Sequence, residues 1–171
     1  MSAEPRSVLA PPTGTLVVDV AAYIVSDNPG STLVTYALGS CIAVTAHDPG
    51  RKVAGMIHVM LPLSRISPDK AAANPAMFAD TGIPVMFKAL YERGCRKEDL
   101  VVKLIGGAGI YDDGGQFAIG ERNVVMARKM FWKNGILLKG EDTGGAKSRT
   151  VRLHIGTGTV VVRTPTEETV L

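Results

Sequence analysis

Aromatic side chains are scarce in this chain, at 5% of 171 residues, so a core has to be built from Val, Ile, Leu, Ala and Met. An excess of charge of one sign is lacking as well. The formal net charge is +3, the Lys and Arg residues are scattered, and no basic run is interleaved with aromatics as in nucleic-acid surfaces. A nucleic-acid partner is therefore not expected. Long apolar runs are also missing: the longest, Val53 to Leu63, contains Pro62 and is shorter than the roughly 20 residues a spanning helix needs. Residues 1–14 carry Glu4, Pro5, Pro11 and Pro12 without a central apolar stretch, which reads as a flexible tail rather than a signal peptide. Without an export signal the two cysteines, Cys41 and Cys95, read as free thiols. A cytoplasmic protein with no membrane insertion is expected. His47, His58 and His154 are isolated and form no zinc-binding spacing with those cysteines, so no metal and no cofactor is expected.

What is present is a globular balance, 46% hydrophobic against 20% charged, in a length that suits one domain. No repeat or linker interrupts it, and residues 15–171 read as a single domain. Val- and Ile-rich stretches predict strands over 16–25, 32–36, 41–47, 53–60, 101–105, 136–140, 151–155 and 159–163. The last two are joined by Gly156-Thr157-Gly158 as a hairpin. Asp27 to Gly30 and Asp48 to Arg51 are turns. Ser64 to Asn74 reads as a surface loop or frayed helix. Ile83, Met86, Phe87 and Leu90 mark one face of a helix over about 77–93, with Pro84 the awkward residue and Gly94 the stop. A second helix is expected over 121–133, ended by Gly135. Many strands, two main helices and short links argue for an α/β layered domain with mostly antiparallel sheet.

The stretch from Thr35 to His58 holds the chemistry. Cys41 follows Gly39-Ser40, where the backbone turns tightly and offers amide N–H groups beside a thiol, as acyl transfer requires for its oxyanion. His58 lies seventeen residues on, across one hairpin. With an even loop pairing 48 with 51, Cys41 falls directly opposite His58 on one face; an odd loop or a bulge loses that pairing. A bland reading stands beside this one. A free cysteine in an apolar strand is usually a small core residue, and a histidine on a strand with Ala54 and Met56 is usually a satisfied one. Thr35 is by default an ordinary strand residue.

The run Thr35-Tyr36-Ala37-Leu38-Gly39-Ser40-Cys41-Ile42-Ala43-Val44, followed by His58-Val59-Met60-Leu61-Pro62, resembles the signature of the CheD family of chemoreceptor glutamine deamidases. Ala79-Asp80-Thr81, Lys103 to Ala108, Ile119-Gly120-Glu121-Arg122-Asn123, Gly140 to Gly145 and Arg149-Thr150 are similar to further family segments, so the resemblance spans roughly residues 15 to 163. It implies a layered α/β/β sandwich, akin to the catalytic domain of the cytotoxic necrotising factor toxins. It implies a triad of Thr35, Cys41 and His58, with Gly39 and Ser40 shaping the oxyanion turn. The activity implied is hydrolysis of receptor glutamine side chains to glutamate through a Cys41 thioester, on chemoreceptor cytoplasmic domains. Nothing in the sequence demands more than a monomer. Tyr36 and Ala37 stand where the family often has glycine or another small residue, which narrows the cleft beside the thiol.

Two rivals remain at this level. The resemblance also implies a binding module that engages and stimulates a CheC-type phosphatase, a role that would survive replacement of Cys41. A cysteine hydrolase of another amide specificity is the second. Among lesser signals, Cys95 beside Arg93, Arg96 and Lys97 reads as an exposed bystander just after a helix stop. Gly107-Ala108-Gly109 lacks the third glycine of a dinucleotide loop, and Gly114-Gly115-Gln116 reads as a mobile loop. Glu141-Asp142 beside Gly144-Gly145 suggests a turn, with Arg149 as an ion-pair partner.

Overall fold

The computed structural model describes residues 14–109 and 118–171. The expected N-terminal tail up to residue 13, and Gly114-Gly115-Gln116, lie outside the described residues.

Among the described residues, ten strands form two five-stranded sheets. The first runs in the order β1 (Thr15–Val17), β3 (Thr32–Leu38), β8 (Arg149–His154), β9 (Val160–Arg163), β10 (Glu168–Val170). The second runs β2 (Ala22–Ser26), β5 (Val53–Val59), β4 (Ile42–Asp48), β6 (Val101–Gly106), β7 (Leu138–Thr143). Pairings are antiparallel except β1 with β3 and β6 with β7. Helix α1 (Pro68–Ala73) and the longer α2 (Ala79–Glu92) and α3 (Ile119–Lys133) complete the described elements with three short 3-10 turns. No helix among the described residues is long and apolar enough to cross a membrane.

The layers follow from which face each side chain takes. Ile42, Val44, Ala46, Val53, Ile57 and Val59 pack with Ile83, Met86, Phe87 and Leu90 of α2 and Val124, Ala127 and Phe131 of α3. The alternate residues Ala43, Ala54 and Met56 pack with Leu33, Leu38, Val151 and Leu153 of the other sheet. The order is therefore helices, sheet, sheet, the expected α/β/β sandwich. Strands β4 and β5 are covered on both faces and buried along their whole length, which is why they read as unbroken small and apolar runs rather than an alternation. Strand β8, with one face in water, alternates instead.

Several expectations are corrected. The single strand over 16–25 is two strands in different sheets, separated at Val18–Ala21, where Ala21 takes φ +56°. Val18, in the inter-sheet core, and Val20, 54% exposed, keep the stretch apolar through the break, so composition does not register the change of sheet. Strand β3 continues through Tyr36 and Ala37 to Leu38, and slips there: Thr35 pairs with Val151 but Leu38 with Arg149. That one-residue bulge, with Ala37 at φ +54°, turns Tyr36 outward while Thr35 and Leu38 both face the core. Glu141 and Asp142 belong to β7 rather than a turn; the turn is at Gly144-Gly145. Helix α2, by contrast, runs through Pro84 as expected. Cys95 is buried at 4% exposure, packed with the helix-side core.

Candidate active site

Strand β5 carries His58 on its inter-sheet face, and across the gap β3 carries Thr35 on the opposing sheet. Both are buried, and Thr35 Oγ1 lies 2.7 Å from His58 Nδ1. The same hydroxyl lies 2.7 Å from the carbonyl oxygen of Val18, in the crossing segment between β1 and β2. A carbonyl only accepts, so the single hydroxyl proton goes to Val18 and Thr35 accepts from Nδ1–H. The neutral imidazole then keeps its lone pair on Nε2. Nε2 is buried and makes no hydrogen bond among the described residues, so it is the nitrogen available as a base.

The β4–β5 register differs from the expected one. Asp48 pairs with Val53 around a loop of residues 49–52, so Ala43, not Cys41, lies opposite His58. Asp48 Oδ1 accepts from the amides of Gly50 and Arg51 at 3.0 Å each. These side-chain caps close the loop so that 48 pairs with 53, two residues later than the expected pairing of 48 with 51. A two-residue slip preserves the face. Cys41, just ahead of β4, is diagonal to His58 and packs against the inter-sheet core, half-buried. Burial pushes the Cys41 thiol up from its ordinary value, against a smaller opposing effect of a hydrogen bond from its own backbone. Burial also depresses His58 to about 4. Both shifts favour the uncharged pair at rest.

The bend at Gly39 and Ser40 is held by its carbonyls. Gly39 O accepts from Ala108 N at 2.9 Å, Cys41 O from Gly107 N at 2.9 Å, and Ser40 O from Asn123 Nδ2 at 2.9 Å. Arg149, paired with Leu38 just ahead of the bend, reaches across to the other sheet. It bonds Asp142 Oδ1 at 3.1 Å and Gly144 O at 2.8 Å, the ion pair expected from the sequence. A cavity of about 480 Å³ lies beside the bend, lined by Ser40, Gly107, Gly120, Val124 and Thr143 among others. Neither Cys41 nor His58 lines it, so it neighbours the thiol rather than containing it.

Two participants were not singled out from the sequence: the Val18 carbonyl, which orients the Thr35 hydroxyl, and Asn123. The first leaves no trace in residue type. The second lies in the Ile119–Asn123 segment named above, but nothing local distinguishes it from a helix-surface residue. No group of three or more His, Cys, Asp or Glu among the described residues could hold a metal ion.

Comparison with known proteins gives a consistent picture. The family model described as CheD chemotactic sensory transduction matches residues 60–164, a stretch that begins after Thr35, Cys41 and His58. The probable chemoreceptor glutamine deamidase CheD 1 of Syntrophus aciditrophicus is 55% identical over 150 residues, 88% of this chain and 94% of that protein. The chemoreceptor glutamine deamidase CheD of Thermotoga maritima is 42% identical over 147 residues, 86% of this chain and 90% of that one. Aligned stretches of that length must take in the Thr35–His58 segment. Among solved structures, the hypothetical protein YfiH of Bacillus licheniformis is similar at a TM-score of 0.45 and 16% identity, covering 71% of this chain and 49% of that one.

Proposed function

This chain belongs to the CheD family, and from that premise we propose that it is a chemoreceptor glutamine deamidase with Cys41 as nucleophile, His58 as base and Thr35 as the residue that orients the imidazole. The observation that carries the residue assignment is the Val18–Thr35–His58 chain of hydrogen bonds. It leaves Nε2 as the free base on the face that Cys41 shares.

In this reading the resting pair is neutral, as burial favours. Nε2 takes the thiol proton while Sγ attacks the side-chain amide carbon of a substrate glutamine. The carbonyl electrons move to oxygen, and the N–H groups of Ser40 and Cys41 are the donors proposed to hold that oxyanion. As the intermediate collapses, the imidazolium returns its proton to the departing nitrogen, ammonia leaves, and a thioester remains on Cys41. Nε2 then takes a proton from water as the water oxygen attacks the thioester. Expulsion of the thiolate, reprotonated from His58, yields glutamate.

The test is glutamine-to-glutamate conversion in a chemoreceptor cytoplasmic fragment, mapped by peptide mass spectrometry. Cys41→Ala is expected to abolish it. His58→Ala should lower the rate by about 10²–10⁴, and Thr35→Val by less, with Thr35→Ser close to wild type. Undiminished conversion by Cys41→Ala would sink the assignment. No conversion by folded wild type on a cognate receptor would favour the phosphatase-binding role instead.

A further inference from the structure

Asn123 is fully buried, at 0% exposure, near the start of α3. Its carboxamide bonds two segments that meet nowhere else in sequence. Nδ2 lies 2.9 Å from Ser40 O and 3.0 Å from Met60 O. Ser40 immediately precedes the thiol residue, and Met60 follows the imidazole residue by two. Because both partners are carbonyl oxygens, only the amide nitrogen can face them, and each of its two protons is used. Asn123 Oδ1 is buried without a hydrogen-bond partner among the described residues, an arrangement that costs stability. The side chain is thus held for what its nitrogen grips, not for its own complete satisfaction.

The carbonyl it grips matters for the chemistry. No peptide bond among the described residues is cis, and in a planar trans peptide C=O and N–H point in opposite directions. Anchoring Ser40 O on Asn123 therefore directs the C=O of the Ser40–Cys41 peptide at α3 and turns the Cys41 N–H away from it. The second bond ties that same anchor to the end of the strand bearing His58.

The helix comes this close because of two glycines, Gly120 and Gly107; a Cβ on Gly107 would lie 2.7 Å from Gly120 O. A Cβ on Gly120 would lie 2.6 Å from both Gly107 O and Ala108 O. Only a bare backbone lets the first turn of α3 rest on the loop after β6, which brings Asn123, three residues later, onto the nucleophile bend.

We propose that Asn123 is a positioning residue for the deamidation: it sets the Ser40–Cys41 peptide, and with it the oxyanion donor, in register with the strand that carries His58. This rests on the reading of Cys41 and His58 given above. The test uses the full chain and a chemoreceptor cytoplasmic fragment, comparing Asn123→Ala, Asn123→Ser, Phe131→Leu and Cys41→Ala with wild type. Phe131 is buried in the same helix two turns away, so its variant reports what destabilising α3 does by itself. Asn123→Ala is expected to lower kcat tenfold or more with KM within twofold. Asn123→Ser, which keeps one donor and gives a second variant should alanine not fold, is expected to fall between alanine and wild type. Phe131→Leu is expected to lower the thermal midpoint while leaving kcat within twofold. If Cys41→Ala is inactive but folded Asn123 variants keep wild-type kcat, the positioning role is overturned and the nucleophile stands. The positioning role is overturned equally if Phe131→Leu loses kcat in step with Asn123→Ala. If Cys41→Ala retains turnover, the underlying site reading fails first.

Discussion

Protonating His58 places a positive charge between two sheets, where Thr35 already occupies Nδ1 and nothing among the described residues pairs with Nε2. The folded value of about 4 against an ordinary 6.5 means that the unfolded chain takes up this proton at a higher pH than the folded one. Stability from keeping His58 neutral is therefore fully present above about 6.5, and is lost as pH falls through about 4. Replacing His58 with a neutral isostere such as glutamine should flatten that part of a denaturation-versus-pH profile. Turnover should share the displacement: in kcat/KM the acid limb is expected near 4, not near 6.5. A midpoint at 6.5 would instead mean a hydrated imidazole and an open site. Thr35 and His58 were legible in the sequence as residue types. Their contact was not, because they sit on different sheets and only the packing of one sheet on the other joins them.

At the scale of the element, the approach of α3 to the loop after β6 is a steric matter that can be tested apart from activity. Gly120→Ala should gain up to ~1 kcal/mol of helix propensity. Against this, its Cβ would stand 2.6 Å from two backbone oxygens, and neither can swing aside as a flexible side-chain end could. Overpacking of this kind costs about 1–3 kcal/mol, so a net loss is expected in urea unfolding. A net gain would show that the helix start shifts freely, and would weaken the case that it positions Asn123. The main helices were readable from periodicity because their apolar faces meet a sheet. The start of β2 and the bulge at Tyr36–Ala37 were not, since both depend on which sheet accepts the strand. The β4–β5 register was read two residues out. The Asp48 carboxylate caps its loop, and that contact does not show in a hydrophobic pattern.

For the whole molecule, the two thiols occupy different layers. Cys41 is half-buried at the inter-sheet core, whereas Cys95 lies 4% exposed in the helix-side core, its thiol pushed up first by burial and then by the nearby Asp48. In a Cys41→Ala background, iodoacetamide should label Cys95 only through opening of that core, at a rate that rises with urea in step with unfolding. Labelling of the native protein at the rate of a free thiol would contradict its burial. A layered α/β domain was anticipated from many strands, two long helices and short links, because composition and periodicity report on how much apolar surface each element must hide; the α/β/β order of the layers was implied by the family resemblance. Sequence by itself determined the class of fold and the family, and it named the thiol, imidazole and hydroxyl proposed for the site, since these are carried by residue type and local order. Only the tertiary structure decided that the Val18 carbonyl orients Thr35, that Cys41 lies diagonal to His58, and that Asn123 joins their two segments. Each of these depends on atoms brought together from distant parts of the chain, where a backbone carbonyl or a buried amide counts for as much as any side chain the sequence can name.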